Sequence, residues 1–220
     1  MKYKLFVFDW DGTLMDSEAH IVSSFQACIQ DLSLSARSDD EIKNIIGLGL
    51  KEAIDALYPG NDETFLAQLV ARYRYHFLVS HKIQSELFPG AQEVLEALTE
   101  QGHYLAVATG KGRAGLRSVL KDTGLDLFFH ATRCADETTS KPHPQMLLEI
   151  MDELDMSADE TLMIGDTEYD MEMATNAGVA ALAVSTGIHE RERLLSHDPV
   201  ACIGHIGEML DWMQDPNSAG

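Results

Sequence analysis

Lys4–Phe8, KLFVF, is a short apolar run that stops at Asp9-Trp10-Asp11-Gly12. A run of this length bounded by a turn pair reads as a buried strand, with the two acids just past its carboxyl end. From about Ser17 to Lys82 the pattern turns helical. Ile21, Phe25, Cys28, Ile29 and Leu32 recur at spacings of three and four, as do Phe65, Leu66, Leu69, Val70, Tyr73 and Phe77. This spacing predicts an all-α insert of about four helices over 17–82. Phe88-Pro89-Gly90 punctuates the chain, and strands then alternate with helices. Helices are predicted over Ala91–Gln101, Arg113–Lys121 (closed by Thr123-Gly124), Pro142–Leu154 and Tyr169–Ala177. Strands are predicted over Tyr104–Ala108, Leu127–His130, Thr161–Ile164, Val179–Val184 and Val200–Ile203, with a last helix through Met209 and Trp212. The alternation predicts an α/β fold. Residues 1–16 and 83–220 supply a parallel sheet covered on both faces, and 17–82 form a second, helical domain.

The chain has 220 residues, 45% of them hydrophobic, enough for one core and a small second module. Lys and Arg number 16 against 36 Asp and Glu, a formal charge of −20. That field repels nucleic acid and acidic membrane surfaces, so neither is an expected partner. No run of about 18 apolar residues is present to span a membrane. The opening MKYKLFVFDWDG turns acidic too soon for a secretory signal, and a cytoplasmic location is expected. Cys28, Cys134 and Cys202 lie far apart and form no CxxC pair, which argues against a disulfide framework or a thiolate zinc site. They read as small buried apolar side chains.

Parallel sheets bind ligands beyond the carboxyl ends of their strands. The predicted elements put Asp9 and Asp11 there, then Thr109 and Gly110, then Lys141 before a helix, then Gly165, Asp166 and Asp170. Each alone has an ordinary reading as a turn, an exposed helix start or a surface acid. Together, in this order and always at a strand or helix end, they argue for one site. Asp9, Asp11 and Asp166 make an oxygen-rich pocket that suits a hard cation of the magnesium type. Gly12 permits a tight turn that offers N–H groups. Thr109 and the Gly110 N–H can hold an anionic oxygen at a helix N-terminus, and Lys141 adds a point charge. A carboxylate can attack phosphorus while its neighbour passes a proton to the leaving oxygen. An acidic protein that handles phosphate esters needs such a local remedy.

FDWDGTLMDS, VATG, KPHP and IGDTEYD resemble, in order, the four motifs of the haloacid dehalogenase superfamily, over about Lys4 to Val184. The helical insert after the first motif is similar to the C1 cap of subfamily I phosphatases. The resemblance implies a Rossmann-like core under a cap that closes over substrate, and a phosphoric monoester hydrolase dependent on Mg2+. Asp9 would be the nucleophile and a metal ligand. Asp11 would be the general acid and base, with its backbone carbonyl on magnesium. Thr109 and Gly110 would bind the phosphoryl group, Lys141 would steady its charge, Asp166 would be a metal carboxylate, and Asp170 would support it. The substrate would be a small phosphorylated metabolite, with phosphoglycolate the leading specific guess, and the protein a monomer or weak homodimer. The chain departs from many relatives at Trp10, where Leu is common and a core position is expected. It also departs at Gly110, where Asn is common, which leaves a substrate contact to Lys111 or Arg113. In the insert, Ile46-Gly47-Leu48-Gly49-Leu50-Lys51 could lay a loop on the leaving group, with Lys51 meeting an anion. Arg72, Arg74, His76 and His81 read as surface or satisfied polar groups.

Other readings stay open at this level. A phosphomutase differs only in which hydroxyl accepts the phosphoryl group. A receiver-like phosphoacceptor domain also uses acids, a Thr and a Lys, but it is shorter and uncapped. Gly110-Lys111-Gly112-Arg113-Ala114-Gly115 is formally a GxGxxG after a strand. Against a dinucleotide site, no clean second strand is predicted to end in an acid about 20 residues on. A dehalogenase needs neither Asp11 nor a metal, since carbon is its electrophile.

Overall fold

The computed structural model describes residues 2–80 and 85–214; His81 and the predicted end of the insert at Lys82 lie outside them. Strand β1 (Leu5–Phe8) leads to a short strand β2 (Met15–Asp16) and four helices, α1 (Glu18–Asp31), α2 (Asp39–Lys43), α3 (Leu50–Leu57) and α4 (Glu63–Tyr75). A π-helical turn, His76–Ser80, prolongs α4, and β3 (Glu86–Leu87) follows. Next come α5 (Ala91–Glu100), β4 (Tyr104–Thr109), α6 (Arg113–Thr123), β5 (Ala131–Cys134), α7 (Gln145–Leu154) and β6 (Thr161–Gly165). The chain continues through α8 (Glu168–Ala177), β7 (Ala180–Val184), α9 (Arg191–Leu195), β8 (Ala201–Ile203) and α10 (Met209–Gln214).

Six strands form one parallel sheet in the order β5-β4-β1-β6-β7-β8. Strand alternation sends Phe6 and Phe8 into one apolar cluster, with α5 residues Val94 and Leu95, and Leu5 and Val7 into another, with α7 residues Leu147 and Ile150. Each of these side chains is fully buried, worth roughly 1.5–3 kcal/mol apiece. Trp10 is also fully buried in the first cluster, as expected, and its indole N–H reaches Met15 Sδ at 3.4 Å. The chain passes from β1 to β4 on one side and later returns across to β6 on the other. The topological switch point, and hence the ligand crevice, therefore falls at the carboxyl end of β1.

The four insert helices enclose their own apolar cluster, with Phe25, Ile42, Ile54 and Leu69 at its centre. Ser38 and Glu41 form a capping box at α2, and Asp62 accepts from the Phe65 N–H at the start of α4. The two crossings between insert and sheet pair as an antiparallel ribbon, Met15 opposite Leu87 and Asp16 opposite Glu86. The sequence reading did not anticipate this ribbon. It is two residues long, and a like-charge pair lies across it, so it is a weak tie.

Two predicted elements shift. Leu127–His130 is not the strand. Leu125–Leu127 is a 3-10 turn, Leu127 is 90% exposed, and the edge strand is Ala131–Cys134. Its core-facing residues are only Ala131 and Cys134, too small to mark it as an apolar run. The predicted helix from Pro142 begins at Gln145 instead, because residues 140–144 form a turn closed by His143 N–H to Ser140 O, which turns Lys141 inward.

Candidate active site

The register brings the predicted residues to one edge. Phe8 lies between Val107 and Ile164, so Asp9, Thr109 and Asp166 all emerge at the carboxyl ends of adjacent strands. The Asp9 N–H donates to Ile164 O at 2.9 Å. Lys141 Nζ lies 2.7 Å from Asp9 Oδ1 and 2.6 Å from Asp170 Oδ1, with all three side chains buried. Both contacts are ion pairs between the ammonium and a carboxylate. Burial alone would lower the Lys141 pKa, but Asp170 and Asp9 outweigh it and hold the ammonium charged. Asp170 Oδ2 also accepts from the Thr167 N–H and hydroxyl, a capping box that locks the start of α8. Asp166 accepts from Thr13 Oγ1 at 2.7 Å and from the Ile188 N–H at 2.8 Å. A Cβ on Gly12, whose φ is +92°, would stand 2.1 Å from Asp166 Oδ2, so only glycine lets the first loop lie against that carboxylate.

Thr109 is buried, and its hydroxyl accepts from the Lys111 N–H at 3.1 Å. Asp11 faces the other way from Asp166. Its Oδ1 accepts from Ser17 Oγ at 2.5 Å, and its Oδ2 lies 3.0 Å from Lys111 Nζ. Above these groups opens a cavity of about 750 Å³, lined on the sheet side by Asp9, Asp11, Thr109 and Gly110 and on the other by the helical insert. Lys51 lines it too, as an exposed side chain.

Residues 6–184 match the family model of the haloacid dehalogenase-like hydrolases. The chain belongs to this family. It is 37% identical over 211 residues to the probable phosphatase IndB of Dickeya dadantii, covering 94% of this chain and 91% of that protein. It is 30% identical over 200 residues to a 5'-nucleotidase of Pseudomonas aeruginosa, covering 90% of each. A solved haloacid dehalogenase-like hydrolase from Bacteroides fragilis superposes with a TM-score of 0.88 at 28% identity, covering 94% of this chain and 100% of that one. The protein is thus an enzyme, a phosphatase of the haloacid dehalogenase type. No helix among the described residues is long and apolar enough to cross a membrane.

In this haloacid dehalogenase-like phosphatase, Asp9, Asp166 and Asp170 each bring an oxygen within 4.8 Å of the others. All three are at most 1% exposed. Lys141 is the cation paired with them among the described residues, so the three carboxylates when ionised carry two more negative charges than it balances, at a buried site. Burial pushes the Asp9 carboxyl up to about 7, with Lys141 pulling it back and Asp170 adding to the rise. Burial first, then Asp9 and Asp170, raise Asp166 well above the usual carboxylate range. Asp9 Oδ2 is buried without a hydrogen-bond partner. An all-oxygen donor set with two charges to spare fits a divalent hard cation. The Asp11 carboxylate stands outside this set, and Asp170 stands inside it.

Lys111 rather than Arg113 turns to the cavity. Arg113 is held by Glu137 and Thr132. Arg72 pairs with Asp31, Arg74 with Asp136, and His76 with Asp31. The dinucleotide reading falls for a reason different from the one expected. Strand β5 does run toward an acid, Asp136, but that carboxylate caps the Arg113 N–H at 2.8 Å. It occupies the helix terminus where a pyrophosphate would have to sit. Sequence reasoning missed Thr13, Ser17 and the Gly187-Ile188 turn. Thr13 and Ser17 lie within the FDWDGTLMDS stretch but carry no charge to single them out, the Gly187-Ile188 turn lies in no motif, and each acts by hydrogen bonding or by yielding space to a carboxylate.

Proposed function

We propose that this phosphatase is magnesium-dependent, acts on a small soluble phosphate monoester, and forms a phosphoaspartate at Asp9. The carrying observation is Asp9 Oδ2, a buried carboxylate oxygen with no hydrogen-bond partner on a residue that lines the cavity. Asp9, Asp166 and the backbone carbonyl of Asp11 would hold the magnesium ion, with Asp170 in support. When bound, the ion supplies charge neutralisation for the carboxylates and for the phosphoryl oxygens.

The chain's own residues divide the remaining work. Asp9 Oδ2 attacks phosphorus and forms the acyl phosphate as the ester P–O bond breaks. Asp11 gives its proton to the departing oxygen, then takes one from the water that hydrolyses the acyl phosphate, which restores the Asp9 carboxylate and releases phosphate. The Thr109 hydroxyl and Gly110 N–H hold the transferring group, and Lys141 steadies its charge and that of Asp9. Residues 17–82 serve as a cap over a core of 1–16 and 83–220, hinged on the weak ribbon of β2 and β3, and exclude water while closed.

Acid quench after mixing with a labelled aryl phosphate should trap label on the peptide that carries Asp9. Asp9→Asn should lose about three or more decades of turnover and all of that label while keeping its circular dichroism. Near-normal turnover by Asp9→Asn would overturn the mechanism.

A further inference from the structure

We propose that the substrate's leaving group is an uncharged, ring-bearing apolar group of the benzyl type and not a small anionic one; the inference rests on the phosphatase reading of the same cavity. The cavity has two unlike sides. The sheet side carries the polar groups described above. The facing wall comes from α1, α4 and the turn after it, and is formed mostly by Ile21, Phe25, Val70, Tyr73, Phe77 and Leu78, with Arg74 also on α4. Three of these are aromatic and run as a row. Phe25 lies 4.6 Å from Tyr73, and Tyr73 lies 5.6 Å from Phe77 with planes 22° apart. Such a wall offers mainly dispersion contacts and ring faces, and the Tyr73 hydroxyl is the one polar group among these six side chains, too little to replace the water lost by a buried carboxylate.

The charges around the cavity point the same way. A second phosphate or a carboxylate on the leaving group needs a cation of its own. Lys111 is taken by Asp11 at 3.0 Å, and Arg74 lies 3.6 Å from Asp136. Lys51 is exposed, where water already solvates its ammonium. Glu52 also lines the space and adds a negative charge that would repel a second anion, while Asp136 and Glu137 are paired with Arg74 and Arg113. Size agrees, because cavities of about 300–1,000 Å³ enclose ring-bearing ligands, and a two-carbon acid would leave most of 750 Å³ unfilled. The proposed leaving group differs from that of phosphoglycolate, the specific guess that the family resemblance suggested.

Benzyl phosphate and phosphoglycolate both lose a primary alkoxide, so their comparison isolates the wall. One methylene in an apolar pocket is worth about 10- to 200-fold in discrimination, so benzyl phosphate should exceed phosphoglycolate in kcat/KM by at least about tenfold. A binding measurement removes the dependence on turnover. In Asp9→Asn protein with magnesium, benzylphosphonate should bind more tightly than phosphonoacetate by a similar factor, read by calorimetry. Leu78→Lys, at a position 50% exposed and so tolerant of charge, and Val70→Lys should each narrow that gap by giving the wall a cation. Phosphonoacetate binding as tightly as benzylphosphonate would overturn the proposal, as would a gap that neither lysine moves. Turnover retained by Asp9→Asn would instead sink the phosphoaspartate, and the binding order would still read the wall.

Discussion

Lys111 Nζ lies 3.0 Å from Asp11 Oδ2, and the same ammonium sits 4.5 Å from the centre of the Phe77 ring in the helical insert. The carboxylate proposed as general acid and base is thus oriented by a core lysine that the insert touches. Ser17 holds its other oxygen. Lys111→Met frees the carboxylate to rotate, so proton delivery suffers where the leaving oxygen needs it most. Turnover of alkyl phosphates should fall by about 10- to 100-fold, and that of 4-nitrophenyl phosphate by much less. A leaving-group series measured on wild type and variant checks this, and equal losses across the series would refute the orienting role.

Gly110 meets the insert even more closely. A Cβ there would stand 2.4 Å from Leu48 O and 2.6 Å from Gly47 O, and backbone carbonyls cannot swing aside as a side chain can. The loop is pinned nearby, since the Gly49 N–H donates to Ser140 Oγ at 2.7 Å and the Tyr169 hydroxyl donates to Asn44 O at 2.8 Å. Gly110→Ala should therefore keep the sheet intact but unseat this loop, lowering kcat/KM by roughly tenfold or more through lost positioning. Gly110→Asn, the residue common in relatives, should do at least as much damage. Steady-state kinetics and limited proteolysis within residues 44–51 would show it. Wild-type kinetics in Gly110→Asn would mean that the loop does not rest there when the enzyme works.

The residues legible in the sequence are those whose chemistry is costly elsewhere. Asp9 and Asp166 are charged groups at the ends of apolar runs, Lys141 and Asp170 stand at predicted helix starts, and burial of charge demands partners, so their convergence could be inferred. The buried strands β1, β4, β6 and β7 were legible because they are apolar on both faces. What escaped has no such signature. The edge strand β5 reads Ala-Thr-Arg-Cys, and the apolar Leu127-Phe128 beside it misled. Ribbon β2–β3 depends on residues about 70 positions apart, a pairing that local pattern does not encode. The Lys111 contact with Asp11 needs the turn after β4, which periodicity leaves undefined.

The cysteines yield a pH-dependent expectation. Burial pushes the Cys28 and Cys134 thiols up to about 12. A raised pKa withholds the reactive thiolate, so at pH 8 only a minute fraction is ionised. Cys202 is only half-buried on β8, so a reagent reaches it more readily. Iodoacetamide at pH 8 should label Cys202 first in the folded protein and reach Cys28 and Cys134 only after denaturant is added. Peptide mass spectrometry reads the order, and early labelling of Cys134 would show that the end of β5 opens on the timescale of the reaction.

Asp166 offers a test of the cation that does not depend on turnover. With Asp9 and Asp170 close by and Lys141 the paired cation, the metal-free protein carries repulsion that a divalent ion removes. Magnesium at about 100 times its dissociation constant should add about 2.7 kcal/mol, a rise of roughly 5–10 °C in Tm for a chain of this size. Asp166→Asn removes one charge while its amide oxygen can still accept from Thr13 or Ile188. In EDTA the variant should then be at least as stable as wild type, and magnesium should raise its Tm little. Scanning fluorimetry with and without magnesium separates the cases. A wild-type Tm indifferent to magnesium would show that the three carboxylates hold no such ion, and a variant that responds as fully as wild type would place the ion on other ligands.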